Sequence, residues 1–129
     1  MPEKLRILLV DDEEVIIKTV GTRLETEGYE VLVAVDGDEA LERAKTEHPD
    51  LIILDLMLPK MDGYKVCTLL KRDTRTQKIP IVIFTARAQT KEVKLASECG
   101  ADAFVQKPFQ TRELLDTLRT LIARPAPSA

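Results

Sequence analysis

Five short aliphatic runs, at residues 5–10, 31–35, 51–54, 81–84 and 103–105, recur along the chain, and each is followed by a segment with the 3.6-residue period of an amphipathic helix. The runs do not alternate apolar with polar residues. As strands they would be covered on both faces, which is the habit of parallel sheets. The intervening segments supply the cover. Ile16, Val20 and Leu24 share a helical face that stops at Gly28; Asp36 and Glu39 stand at capping-box spacing ahead of Ala40, Leu41 and Ala44. A third helix is expected from about residue 63 through Val66, Leu69 and Leu70, and a fourth carries Val93 and Ala96 and ends at Gly100. A fifth repeats Leu114, Leu115, Leu118, Leu121 and Ile122. Strict alternation with short connections predicts a doubly wound α/β fold: a five-stranded parallel sheet, right-handed crossovers and five flanking helices.

The size fits that architecture. A chain of 129 residues makes one domain and buries close to ~70% of the surface its unfolded form exposes. The domain is expected over residues 1–123, and residues 124–129, Arg-Pro-Ala-Pro-Ser-Ala, read as a Pro/Ala-rich tail or the start of a linker. Hydrophobic residues at 44% and charged residues at 32% exclude a disordered chain. A net charge of −3 gives no overall electrostatic case for nucleic acid or anionic membrane, so no direct nucleic-acid binding is expected. No apolar stretch approaches a membrane span, and residues 1–4 enter the first strand without a signal-peptide pattern. No membrane insertion and a cytoplasmic location are therefore the expectations. Cys67 and Cys99 form no CxxC pair and read as small apolar helix residues; His48, beside Pro49, reads as a surface turn residue.

In a doubly wound sheet, ligands sit outside the carboxyl ends of the strands, next to the point where strand order reverses. Several polar residues fall there. Asp11 and Asp12 follow the first run, Asp55 closes Leu51-Ile52-Ile53-Leu54, Thr85 follows the fourth run and Lys107 lies just past the fifth. Each has an ordinary reading: Asp12 as a helix cap, Asp11 as a turn residue, Thr85 as a strand terminator, Lys107 as a loop lysine. Asp55 has the weakest, because a carboxylate in an apolar strand is costly unless compensated. With strand order 2-1-3-4-5 the three carboxylates converge. Two carboxylates about 4 Å apart repel by about 4 kcal/mol at an effective dielectric near 20, so three need a counter-charge. Oxygen ligands without His or Cys select magnesium over zinc.

Four motifs in order, Ile7-Leu8-Leu9-Val10-Asp11-Asp12-Glu13, Asp55-Leu56-Met57-Leu58-Pro59 with Met61-Asp62-Gly63, Thr85-Ala86, and Phe104-Val105-Gln106-Lys107-Pro108-Phe109, resemble the receiver domain of two-component response regulators over residues 4–123. Chemotaxis-type single-domain regulators are similar. The resemblance implies a flavodoxin-like fold in the order 2-1-3-4-5. It further implies that Asp55 accepts a phosphoryl group from a histidine kinase or phosphotransfer protein. Asp11, Asp12, Asp55 and the Met57 backbone carbonyl would hold Mg2+, and Thr85 and Lys107 would contact the phosphoryl oxygens. Thr85 and Phe104 would form the switch, Phe104 standing where many family members carry tyrosine.

The chemistry those roles need is modest. A carboxylate can act as nucleophile if the phosphoryl group is held in line and its charge neutralised. Such a chain accepts phosphate and loses it slowly to water, so no independent enzyme turnover is expected. Met57 and Arg87, each two residues past a site residue, flank the expected route of that water and would tune it; neither is an evident base. The surface of the fourth helix, fifth strand and fifth helix, made basic by Arg87, Lys91, Lys94 and Arg112, would report the switch to a downstream protein target or to a C-terminal output domain absent from this sequence. Two rivals from other classes fail on particular residues. A flavodoxin-like cofactor binder would not place Asp11-Asp12-Glu13-Glu14 against a phosphate, and an aspartyl-phosphate hydrolase would want a second Asp where Met57 stands. The alternative that shares every motif is a receiver-fold interaction module that works without phosphorylation.

Overall fold

The computed structural model describes residues 5–56, 58, 60–85, 98–106 and 111–123. Five strands, β1 (Arg6–Val10), β2 (Glu30–Ala34), β3 (Leu51–Asp55), β4 (Ile81–Thr85) and β5 (Ala103–Gln106), form one parallel sheet in the order β2-β1-β3-β4-β5. Four helices lie among the described residues: α1 (Glu14–Thr26), α2 (Gly37–Glu47), α3 (Gly63–Arg72) and α4 (Thr111–Ala123). The last is the fifth helix of the sequence expectation. The fourth expected helix falls outside the described residues except for its end at 98–100.

The three central strands, β1, β3 and β4, are covered on both faces, as parallel strands generally are. Neighbouring residues along β1 part to opposite sides: Leu8 and Val10 join one core, Ile7 and Leu9 the other. Leu8 and Val10 share their core with Ile52, Leu54, Ile81 and Ile83 of the sheet, with Ala40 and Ala44 of α2, and with Val66, Cys67 and Leu70 of α3. The opposite core sets Ile7, Leu9, Ile53 and Phe84 against Val20 and Leu24 of α1 and Leu114, Leu115 and Leu118 of α4. Each fully buried aliphatic side chain contributes about 1.5–3 kcal/mol, so a sheet with two dry faces outweighs any one-sided arrangement of these sequences. β2, at the edge, is the least buried, with only Ala34 fully covered.

The helix ends follow local chemistry. α1 stops where Gly28 takes φ +98, which lets the Tyr29 amide donate to Leu24 O at 3.1 Å and the Gly28 amide to Glu25 O at 3.0 Å. Asp36 caps α2 by accepting from the Glu39 amide at 2.8 Å. The return bond of Glu39 comes from the amide of Val35, at 3.2 Å, one residue ahead of the cap. His48 ends α2 at φ 48 and is exposed, the turn residue expected of it. Among the described residues no helix is long and apolar enough to cross a membrane.

Candidate functional site

The reversal of strand order lies between β1 and β3, where Val10 pairs with Leu54. The next residue of each strand is therefore a carboxylate, Asp11 beside Asp55. Asp55 also pairs with Phe84 of β4, so Thr85 stands one step further out, opposite Gln106 of β5. Parallel register thus carries separate sequence positions to one edge. Asp11 is fully buried and Asp55 is 2% exposed, whereas Asp12 is exposed. One carboxylate oxygen from each of the three lies within 4.8 Å of the others.

Each acid is held by its neighbours. The Asp11 amide donates to Ala34 O at 3.1 Å, continuing the β1–β2 ladder past the strand. Its carboxylate turns back to accept from the Glu13 amide at 2.8 Å, an Asx turn that fixes the side chain at the mouth of α1. The residue before α1 is Glu13, which makes no side-chain cap, so Asp12 is not spent on capping and is turned to the crevice instead. Asp55 stays in the β3 ladder, and the loop after it folds back at once: the Gly63 amide donates to Leu56 O at 3.0 Å, and Asp62 caps α3 by accepting from the Lys65 amide at 3.0 Å.

That return is tight. A Cβ on Gly63 would sit 2.6 Å from Leu56 Cα and closer still to Asp55 O, so only glycine lets the start of α3 lie on the end of β3. Two further contacts fasten the loop. Lys60, at φ 68, reaches Asp36 at 3.4 Å, and a Cβ on Gly37 would meet Met61 Cβ at 2.7 Å. The Asp36 carboxyl is held below the usual carboxylate range, chiefly by the Glu39 amide and also by Lys60. Lys60, Gly37 and Gly63 were not singled out as individual functional positions by sequence reasoning; the signal available for Gly63 was its place directly after the capping Asp62.

Three like charges in so small a space are a chemical statement. At 4.8 Å each pair repels by about 3 kcal/mol at an effective dielectric near 20, less where Asp12 meets water. A set of oxygen donors without nitrogen or sulfur can hold one hard divalent cation, with room left for water or a phosphate oxygen. Of the other expected site residues, Phe104 sits on β5, half-buried against the α2–α3 core, and Arg112 is exposed at the start of α4. The backbone of Thr85 closes β4. Met57, Arg87, Lys91, Lys94 and Lys107 lie outside the described residues.

Fold and acidic triad define a class: flavodoxin-like α/β domains with a carboxylate crevice at the switch point of the sheet. Within that class the chain belongs to the response regulator receiver domains of two-component systems, whose family model matches residues 7–119. It is 45% identical over 121 residues, 92% of its length, to the alkaline phosphatase synthesis transcriptional regulatory protein PhoP of Bacillus subtilis, of which the match covers 49%. It is 44% identical over 119 residues to the DNA-binding dual master transcriptional regulator RpaA of Synechocystis, covering 92% of this chain and 49% of that one. The chain spans about half the length of these curated relatives. Among solved structures it is similar to a response regulator from Chloroflexus aurantiacus, with 32% identity and a TM-score of 0.91 over 95% of this chain and 100% of that one. It is also similar to the receiver domain of a Pseudomonas aeruginosa sensor histidine kinase described with a magnesium ion coordinated in its active-site cleft, with 29% identity and a TM-score of 0.89 over 95% and 100% of the two chains.

Proposed function

We propose that Asp55 is the phosphoacceptor of a two-component pathway and that phosphorylation is the input this domain reads. The observation that carries the proposal is the register that sets Asp55, 2% exposed, beside Asp11 and Asp12 with oxygens within 4.8 Å. Three carboxylates kept that close serve a cation, and Mg2+ fits the all-oxygen set, with Asp11, Asp12, Asp55 and the Met57 carbonyl as its ligands. When bound, magnesium supplies positive charge against the phosphoryl oxygens.

The rest is the work of the chain. An Asp55 oxygen attacks the phosphorus of a phosphohistidine on a kinase or phosphotransfer protein; the P–N bond breaks as the P–O bond forms, and the imidazole, already protonated on its other ring nitrogen, leaves as the neutral ring. Lys107 contributes a second positive charge and the Thr85 hydroxyl a donor. Phosphorylation adds about −1.5 to −2 charge and three acceptor oxygens. Bonds from Thr85 and Lys107 at about 1.5–3 kcal/mol each give about 3–6 kcal/mol, comparable with the about 5.5 kcal/mol that moves an equilibrium from 1:99 to 99:1. Phe104 follows Thr85 inward, and the face of β5, the last helix and the segment before β5 changes shape. Met57 and Arg87 flank the water that ends the signal, a role read from the decay of label.

The domain spans residues 1–123, and residues 124–129 are a Pro/Ala-rich tail or the start of a linker. Its curated relatives are transcriptional regulators of twice its length, which favours a DNA-binding output outside this sequence and a cytoplasmic location. The test is incubation with magnesium and acetyl phosphate. Wild type is expected to acquire one acid-stable, base-labile phosphate that a chelator prevents and that Asp55→Asn lacks. Equal labelling of both proteins removes Asp55 from the role. A folded wild type that never labels, from acetyl phosphate or from kinase, speaks for an interaction module independent of phosphate.

A further inference from the structure

Cys67 and Cys99 stand 32 residues apart in sequence, yet the fold brings them together: the Cys67 thiol donates to the Cys99 backbone carbonyl at 3.4 Å, and each thiol shifts the other's proton affinity. Cys67 is on the inner face of α3 and fully buried. Cys99, in the turn that leads to β5, is 8% exposed. The approach of turn to helix is fixed on both sides. Gly100 takes φ +91, and a Cβ there would lie 3.1 Å from Lys71 Cγ, so the Lys71 stem packs directly on the turn one helical turn beyond Cys67. The Lys71 ammonium then donates to Asp102 at 3.0 Å and to Ile79 O at 2.9 Å. Neither the acidic site nor the packing of the core requires two thiols in contact, and aliphatic residues would fill the same space. A zinc site is not indicated: structural zinc takes four ligands, and among the described residues the only cluster of three or more metal-binding side chains is Asp11, Asp12 and Asp55.

We propose that Cys67 and Cys99 are a peroxide-oxidisable pair that closes to an intramolecular disulfide and ties the turn before β5 to α3. The two positions divide the labour. Cys99 is the less enclosed of the two, 8% exposed against 0% for Cys67, and its thiol is held below the usual thiol range by the neighbouring Cys67 thiol, with further help from the Ala101 amide. Cys67 keeps its proton, its thiol pushed up by the neighbouring Cys99 thiol and by burial. The Cys99 thiolate attacks one oxygen of hydrogen peroxide; the O–O bond breaks, and hydroxide leaves, taking up the proton that Cys99 released. The Cys67 sulfur then attacks the resulting sulfenic sulfur, the S–O bond breaks, and the hydroxyl leaves as water with the Cys67 proton. Two thiols are oxidised and one peroxide is reduced to two waters.

The experiment treats the folded full chain with hydrogen peroxide at neutral pH, beside Cys67→Ser and Cys99→Ser. Wild type is expected to lose two hydrogen atoms in intact mass, reversibly with dithiothreitol, and to yield one linked peptide pair containing Cys67 and Cys99. Cys67→Ser is expected to trap a sulfenic acid on Cys99 that dimedone captures. Thiol loss in wild type should be at least about ten-fold faster than in Cys99→Ser, where only the buried thiol remains. A wild type that stays reduced, that crosslinks only between chains, or that closes the disulfide only in urea overturns the proposal. The wild-type mass shift is decisive even where a serine variant fails to fold.

Discussion

Asp12 and Asp55 have opposite consequences for stability depending on whether a cation is present. Without one, the three carboxylates within 4.8 Å repel, and removal of one charge relieves two of the three pairwise terms. Asp12→Asn is therefore expected to raise the melting temperature of the metal-free protein, by about 1 kcal/mol after solvent screening of the exposed Asp12, or about 3–5 °C at this length. The same substitution should remove most of the stabilisation that magnesium gives wild type, which at a hundred times its dissociation constant is about 2.7 kcal/mol. Calorimetry with and without magnesium checks both signs, and a destabilised metal-free Asp12→Asn would deny that the triad is strained. Asp73 behaves differently because its partner is built in. Its carboxylate accepts from the Arg75 amide at 2.8 Å and pairs with the guanidinium at 2.8 Å, and Arg75 lowers its pKa to about 2 from the ordinary 3.8. A carboxyl depressed in the folded state stabilises fully above pH 3.8, and that contribution is lost as pH falls through about 2. Asp73→Asn should accordingly be less stable than wild type at neutral pH, with the gap in urea midpoint closing between pH 4 and 2; a gap of constant size across that range contradicts the assignment.

The contact of α3 with β3 depends on one missing carbon. Because a Gly63 Cβ would fall 2.6 Å from Leu56 Cα, Gly63→Ala must push the helix start away from the strand end that carries Asp55. The expected cost is about 1–3 kcal/mol, seen as a lower urea midpoint, and it should come with slower labelling of Asp55 because the loop beyond that residue shifts; unchanged stability would mean the loop yields freely. This contact marks the border of what the sequence could reveal. The strands were legible because apolar runs of three to six residues have few other uses, and β5 runs one residue past its expected end, to Gln106, because ladder bonds do not depend on apolar side chains. The acidic triad was legible once parallel register was assumed, since Val10 and Leu54 then deliver Asp11 and Asp55 together. Whether Asp12 served as a cap was not, because capping is settled by backbone angles at Glu13 and not by residue type. The Lys60–Asp36 pair and the Cys67–Cys99 contact were hidden for a related reason. Both join loops and helices that meet only after the sheet has formed, and spacing along the chain carries no record of such meetings.

The molecule closes on itself through its last helix. α4 covers the same face of the sheet as α1, with Leu114, Leu115, Leu118 and Leu121 in one core with Val20 and Leu24, and Arg119 reaches across to Glu27 at 3.1 Å. The salt bridge is exposed and adds little; the apolar stripe is what seals Ile7, Leu9, Ile53 and Phe84 from water. Leu121 is 7% exposed and Ile122 still packs on that core, so the structural need for the chain runs through the final turn of α4. A chain ended after Thr120 loses both side chains, a cost of about 2–4 kcal/mol and a fall of about 6–20 °C in melting temperature. A chain ended after Ala123 keeps every one of these contacts and is expected to melt within about 2 °C of the 129-residue chain and to accept phosphate on Asp55 at the same rate. That pair of results would place the end of the folded domain at residue 123. If ending after Ala123 lowered the melting temperature as much as ending after Thr120, the last six residues would belong to the folded domain.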